Sequence, residues 1–243
     1  ISRGDLLVLR ADALWRPEGG RVAVLPFSDT GDGLGELFAA AIVEGARAWD
    51  MVALDPAASA EILAREERSV EDLNDERGRL RVANTLRRAG VELLVTGSCV
   101  QIEDGTTYVG AAFTPVVGDG LGETITTNAE SARGTELSAV EPIVTALATA
   151  LGDEPGSSQA LSQRVPVAAS VLRDWLRARE AFASADLDAA AAALSSAAAD
   201  PNASAWIVSL RDRLESGRVH AGHVLVDELD DPGVVAAALV EHA

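Results

Sequence analysis

Arg21-Val22-Ala23-Val24-Leu25-Pro26-Phe27, followed by Ser28-Asp29-Thr30-Gly31-Asp32-Gly33, decides how this chain begins to fold. The run after Arg21 is short and continuously apolar, the pattern of a strand buried on both faces. Proline cannot donate to a strand ladder, so Pro26 marks the strand's end. The Ser/Asp/Gly stretch is a loop. Beyond it Leu34, Leu37, Phe38, Ala41, Ile42, Ala46 and Trp49 recur every three or four residues, which predicts an amphipathic helix with one wide apolar face.

The pattern continues in both directions. Upstream, Ile1–Gly20 holds Leu6-Leu7-Val8-Leu9 and a turn-rich end, and reads as an extension or linker. Downstream, Met51–Leu54 is a second short strand. Asp55-Pro56 then looks like a helix cap with proline in the first turn, opening a helix to about Glu67. Another helix follows at 76–88, with Gly90 placed to end it. Val91–Ile102, Thr107–Val116 and Gly122–Asn128 form an antiparallel meander, turning at Asp104-Gly105 and at Gly118-Asp119-Gly120. In the middle strand Val109, Ala111 and Phe113 point one way. Leu137, Val140, Val144, Leu147 and Leu151 mark a closing helix. Residues 152–166 are Gly, Ser, Pro and Gln rich without periodicity and read as a linker. The remainder is helical: Ala168–Ala185, Asp188–Ala199 and Ala203–Glu215, ending in an ambiguous tail. The expected architecture is therefore α+β or α/β, with a mixed sheet of about five strands in the order β-α-β-α-α-β-β-β-α. An all-α helical-repeat segment follows it. The expected domains are 21–152 and 167–243, joined by 153–166.

At about 150 residues per domain, the 243 residues fit one large domain or two small ones. Hydrophobic residues make up 48% but aromatics only 4%, so the core is built from Ala, Val and Leu. The 20 basic residues, all Arg, stand against 38 acidic ones, a net charge of −18. That balance argues against nucleic acid, whose affinity comes from cations on phosphates, and against an anionic membrane surface. No apolar run approaches the roughly 18 residues of a membrane span. A single cysteine, Cys99, excludes an internal disulfide framework. The Lys-free, acidic composition fits GC-rich coding or salt adaptation. An opening Ile1 in place of Met predicts a fragment or processed form of a longer protein.

Two stretches carry a resemblance. Val22-Ala23-Val24-Leu25-Pro26-Phe27 before a Gly/Asp loop and a helix resembles the opening of the TolB amino-terminal-like domain family. Ala89-Gly90-Val91-Glu92-Leu93-Leu94-Val95-Thr96-Gly97-Ser98 resembles that family's second signature, which starts the central strand. The likeness covers residues 20–152. Beyond it Phe182, Ala190, Leu194, Ala197 and Pro201 are similar to positions of a tetratricopeptide repeat, although Leu194 to Pro201 is one residue short and the second helix is degenerate. The resemblance implies a non-catalytic module that senses or docks proteins within a membrane-tethered bacterial regulator of kinase, cyclase or winged-helix type. It implies a place outside the cytoplasmic membrane, with the cytoplasm as the alternative. Similar folds in envelope assembly proteins of the CsgG and FlgO kind imply an alternative function, a subunit that self-associates into rings or fibres. The expected partners are proteins or further copies of the chain. No enzyme activity, cofactor or metal is expected.

Each candidate site has a plainer reading. The loop with Asp29, Asp32 and Gly33 joins a strand to a helix, where α/β folds place phosphates. It lacks Lys and a Walker or Rossmann spacing, and both aspartates would repel phosphate; helix capping explains it better. A divalent cation there would lack oxygen ligands. His220 and His223, near Asp227 and Glu228, have a zinc-like spacing, but Gly222 lies between them and no third ligand is evident. Cys99, amid apolar neighbours, reads as a small buried hydrophobe. Ser98 lacks a nucleophile elbow. The acidic pairs Glu66-Glu67, Glu71-Asp72 and Asp75-Glu76 alternate with Arg65, Arg68, Arg77, Arg79 and Arg81 and read as a solvated surface. Trp175, Phe182 and Trp206 are the candidate interaction surface; for Trp175 and Phe182, packing between helices at three-to-four spacing is the better reading.

Overall fold

The computed structural model describes residues 21–29, 33–54, 56–65, 67, 76–118, 120–183, 186–203, 207–208 and 211–212. They fall into two compact units, one running to Ala169 and the other starting at Ser170.

The first unit is built on a mixed, six-stranded sheet. Its strands are β1 (Val22–Val24), β2 (Ala53–Leu54), β3 (Leu93–Gln101), β4 (Thr107–Val117), β5 (Gly120–Leu121) and β6 (Ile125–Ser131). Its helices are α1 (Leu34–Ala48), α2 (Pro56–Arg65), α3 (Glu76–Arg88), α4 (Val140–Leu151) and α5 (Ser158–Arg164); a 3-10 turn, Glu136–Ala139, leads into α4. The strand order is β2-β1-β3-β4, with β5 and β6 both pairing with β4. β1 is parallel to β2 and β3, and the remaining pairs are antiparallel.

The expected mixed sheet with packed helices is present, with six strands where five were expected. The first strand is shorter than its apolar run. Pro26 has no N–H, and regular pairing stops before it. The chain still tracks β3: the Ser28 N–H donates to Gly97 O at 3.0 Å, and the Cys99 N–H donates to Ser28 O at 2.8 Å. The meander's last strand begins later than expected, at Ile125, because it pairs with Thr107–Phe113 of β4; residues 122–124 lie in no strand, and Gly120–Leu121, Gly120 having been read as part of the turn, form β5. The stretch 152–166, read as unpatterned, carries α5. The Ser157 hydroxyl caps it by accepting from the Ala160 N–H at 3.1 Å. Buried Leu161 and Val165 hold it down. The Trp49 indole N–H donates to Ser157 O at 3.1 Å and fastens the approach to α5.

Side-chain alternation divides the sheet's two faces. On one, Val22, Val24, Leu93, Val95, Val109 and Phe113 are buried against α1 and α4. These helices come close because α1 carries Gly45, where a Cβ would lie 2.8 Å from the Val144 side chain. On the other face, Ala23, Leu25, Leu54 and Leu94 form a core with Leu63 of α2 and Val82 and Leu86 of α3. At about 25 cal/mol per Å2 of apolar surface, such buried leucines and valines each contribute about 2 kcal/mol.

The second unit contains α6 (Ala169–Ala183) from its second residue on, and α7 (Leu187–Ala199). The Asp186 carboxylate caps α7 by accepting from the Ala189 N–H at 2.9 Å. The two helices are tied by Ser196 Oγ donating to Asp174 at 2.6 Å. Of the expected third helix, Ala203 is described and is not helical, while 207–208 and 211–212 are described and helical. No helix among the described residues is long and apolar enough to cross a membrane.

Candidate functional site

The loop after β1 is a capping device. The Asp29 carboxylate accepts from the Gly35 N–H at 2.8 Å, satisfying one of the free donors at the start of α1. Gly33 precedes the helix with φ 75°, a left-handed conformation that glycine adopts without strain. Asp29 thus places its own negative charge at the helix N terminus, where an anion would have to sit. Asp32 lies outside the described residues.

The other sequence candidates disperse. Trp175 is 2% exposed, so its ring is interior, which agrees with packing between helices and leaves no surface for the interaction reading. An apolar residue repeated every three or four positions marks the side of a helix that packs, and here packing has claimed the indole. The side chain of Phe182, all of Trp206, and His220, His223, Asp227 and Glu228 lie outside the described residues. Cys99 is buried on the α1 side of the sheet. Of the acidic pairs, only Glu67 and the backbone of Glu76 are described; Arg65 nearby makes a solvent-exposed pair with Glu61 at 2.7 Å. Such a pair contributes less than about 1 kcal/mol. Among the described residues no group of three or more His, Cys, Asp or Glu is arranged to hold a metal ion.

The feature with the capacity to bind is the uncovered half of a sheet face. Helices α2 and α3 cover Ala23, Leu54 and Leu94, but the same face continues along β3 and across β4 and β6 with no helix over it among the described residues. Its β3 positions are Thr96, Ser98 and Val100. The register sets them opposite Ala112, Gly110 and Tyr108 of β4, which in turn oppose Thr126, Asn128 and Glu130 of β6. The small Gly110 and Ala112 make a low floor along β4, with hydroxyl and amide side chains on each side. A Cβ at Gly110 would meet Asn128 Oδ1 at 3.1 Å.

The end of this floor at the β3–β4 turn is apolar. Val100 and Tyr108 face each other across the ladder and are 44% and 47% exposed; Ile102, just beyond, is 42% exposed. Exposed Glu103, Asp104 and Glu130 surround them. The Asp104 carboxylate accepts from the Thr106 N–H at 2.7 Å. Those backbone and side-chain bonds from Thr106 hold its pKa below the usual aspartate value, so it is ionised at neutral pH. Exposed Arg133 packs its stem against Gly105 at the same turn.

Reading the sequence for chemistry passes over Val100, Ile102 and Tyr108. A signal was present. Once Val109, Ala111 and Phe113 point inward, Tyr108, Gly110 and Ala112 must point outward.

No family model matches this chain, and a search of curated proteins finds no match either.

Proposed function

We propose that this chain is a non-catalytic sensing or protein-docking part of a larger membrane-tethered bacterial regulator, of kinase, cyclase or winged-helix type. In this reading its first unit is a TolB-like domain that lies outside the cytoplasmic membrane. The observation that carries the docking role is the uncovered sheet face ending in Val100, Ile102 and Tyr108. Clustered apolar groups in water with a polar surround are the usual form of a protein-binding surface. The TolB-like reading draws support from the pairing of the two signature stretches as neighbouring strands, Val24 beside Val95.

The test is affinity isolation of the full-length parent from its own bacterium, comparing the natural protein with V100D/Y108D. Unchanged circular dichroism of the purified variant establishes that the sheet is intact. The docking reading expects specific protein partners to be lost from the variant. Identical partner sets would contradict it. Protease added to spheroplasts tests the location: cleavage of the chain agrees with an extracytoplasmic position, and protection until lysis opposes it.

One observation favours a second reading, a self-assembling subunit. Among the described residues, β6 has no strand on its outer side, and its sequence Ile125-Thr126-Thr127-Asn128-Ala129-Glu130-Ser131 has none of the lysines or prolines that protect free edges. Mass-resolved light scattering at low and high salt tests it. A ring or open polymer supports assembly, and a monomer at both salts opposes it.

A further inference from the structure

We infer that the uncovered half-face seats a single basic, amphipathic helix of a protein partner; the inference rests on the docking role proposed above. The first argument is dimensional. Among the described residues, the sheet carries helices on both faces at its β2-β1-β3 end and over Val116 of β4, but on one face only over Thr107–Ala112 of β4 and over β6. The gap spans β3, β4 and β6, two strand spacings or about 10 Å, which is the diameter of one helix with its side chains. From Tyr108 to Ala112 the floor runs about 13 Å, the length of about nine helical residues. Where the face continues beyond Thr96, Leu94 is already covered by α3, so a helix seated here would extend the existing layer.

The second argument is the chemistry of the floor and its surround. Gly110 and Ala112 let a helix backbone approach closely, whereas a row of large side chains would hold it off. Val100, Ile102 and Tyr108 supply apolar anchors at one end only, so the occupant needs an apolar stripe that meets them. Exposed Glu103, Asp104 and Glu130 border those anchors, with exposed Arg133 at the same turn, within a chain of net charge −18. Charge complementarity therefore calls for Arg or Lys flanking the stripe. A second copy of this acidic chain would meet repulsion at the same place.

The experiment titrates isotopically labelled full chain with three synthetic 18-residue peptides, read by NMR and fluorescence anisotropy. One is an amphipathic helix of Leu and Arg, one is its Leu and Glu counterpart, and one is a scrambled Leu and Arg sequence with no helical stripe. The inference expects the first to bind, moving the Val100, Tyr108, Gly110 and Thr126 signals, with the other two at least tenfold weaker. V100S/Y108S should weaken binding tenfold or more without a change in net charge. E103Q/D104N/E130Q should weaken it and flatten its salt dependence. Equal binding of the scrambled peptide would mean bulk charge attraction and would overturn the inference. So would shifts confined to the outer edge of β6, which indicate strand addition, or the same face shifting with protein concentration alone, which indicates self-association. If Tyr108 contacts a specific partner in cells but no basic helix binds, the docking role stands and the helix inference fails. If neither occurs, both fail.

Discussion

The Phe27 ring lies directly over Gly97: a Cβ at Gly97 would fall 2.2 Å from Phe27 Cε2 and 2.5 Å from the Gly110 carbonyl oxygen. Phe27 closes the first apolar run and Gly97 sits in the middle of β3, 70 positions later. Strand pairing brings them together, and the missing side chain at 97 is what admits the ring.

Gly97→Ala should therefore destabilise the first unit by roughly 3 kcal/mol, since neither a packed ring nor a backbone oxygen can yield cheaply. Urea unfolding followed by circular dichroism measures it. Combining it with Phe27→Ala should cost less than the sum of the two single changes, because they share one contact.

Asp29 acts on α1 through a hydrogen bond to the Gly35 N–H. Asp29→Ala should cost about 1 kcal/mol, the usual loss of a helix cap, while Asp29→Asn retains an acceptor and should cost less than half of that. Thermal unfolding distinguishes the two. Equal losses would show that charge, and not the hydrogen bond, is what the helix needs.

The turn between β3 and β4 should respond to acid. The pKa of Asp104 is lower in the folded chain than in the unfolded one. Its contribution is thus fully present above the unfolded value of about 3.9, and is lost as pH falls through the lower folded value. A carboxyl NMR titration should place its midpoint below that of an unstructured aspartate, and amide exchange at Thr106 should quicken as it protonates.

Cys99 is buried on the α1 side of the sheet. It should remain unreactive toward Ellman's reagent in the native chain and react stoichiometrically in denaturant, because only an exposed thiolate attacks. Fast native reaction would mean that the helical layer over β3 opens readily.

How far the sequence could be read follows from what each residue needs. The Val22–Phe27 run and the Leu34–Trp49 period predict β1 and α1 because burial there is local and regular. Pro26 predicts where the ladder stops. β6 is harder: a run of Thr, Asn, Ala and Ser has little alternation, and its limits are set by the register with β4. Among the described side chains, helix α5 is held by Leu161 and Val165 within a polar stretch, too few positions to establish a period. Trp175 shows the same limit for sites, since spacing places an aromatic on a helix side without saying whether that side is covered. The uncovered half-face is a property of the assembled layers. Alternation shows that Tyr108 and Gly110 point away from Phe113, but only the placement of α2 and α3 leaves them in solvent.

The docking role of that half-face is tested most directly by photo-cross-linking in living cells. A benzophenone amino acid is placed at Tyr108 of the protein expressed in its own cells, with a second version carrying it at exposed Glu61 on α2 as the control. The account predicts a discrete protein adduct from position 108 that disappears when Val100→Asp is added, and none from position 61. No adduct at 108, or the same adducts from both positions, would contradict it.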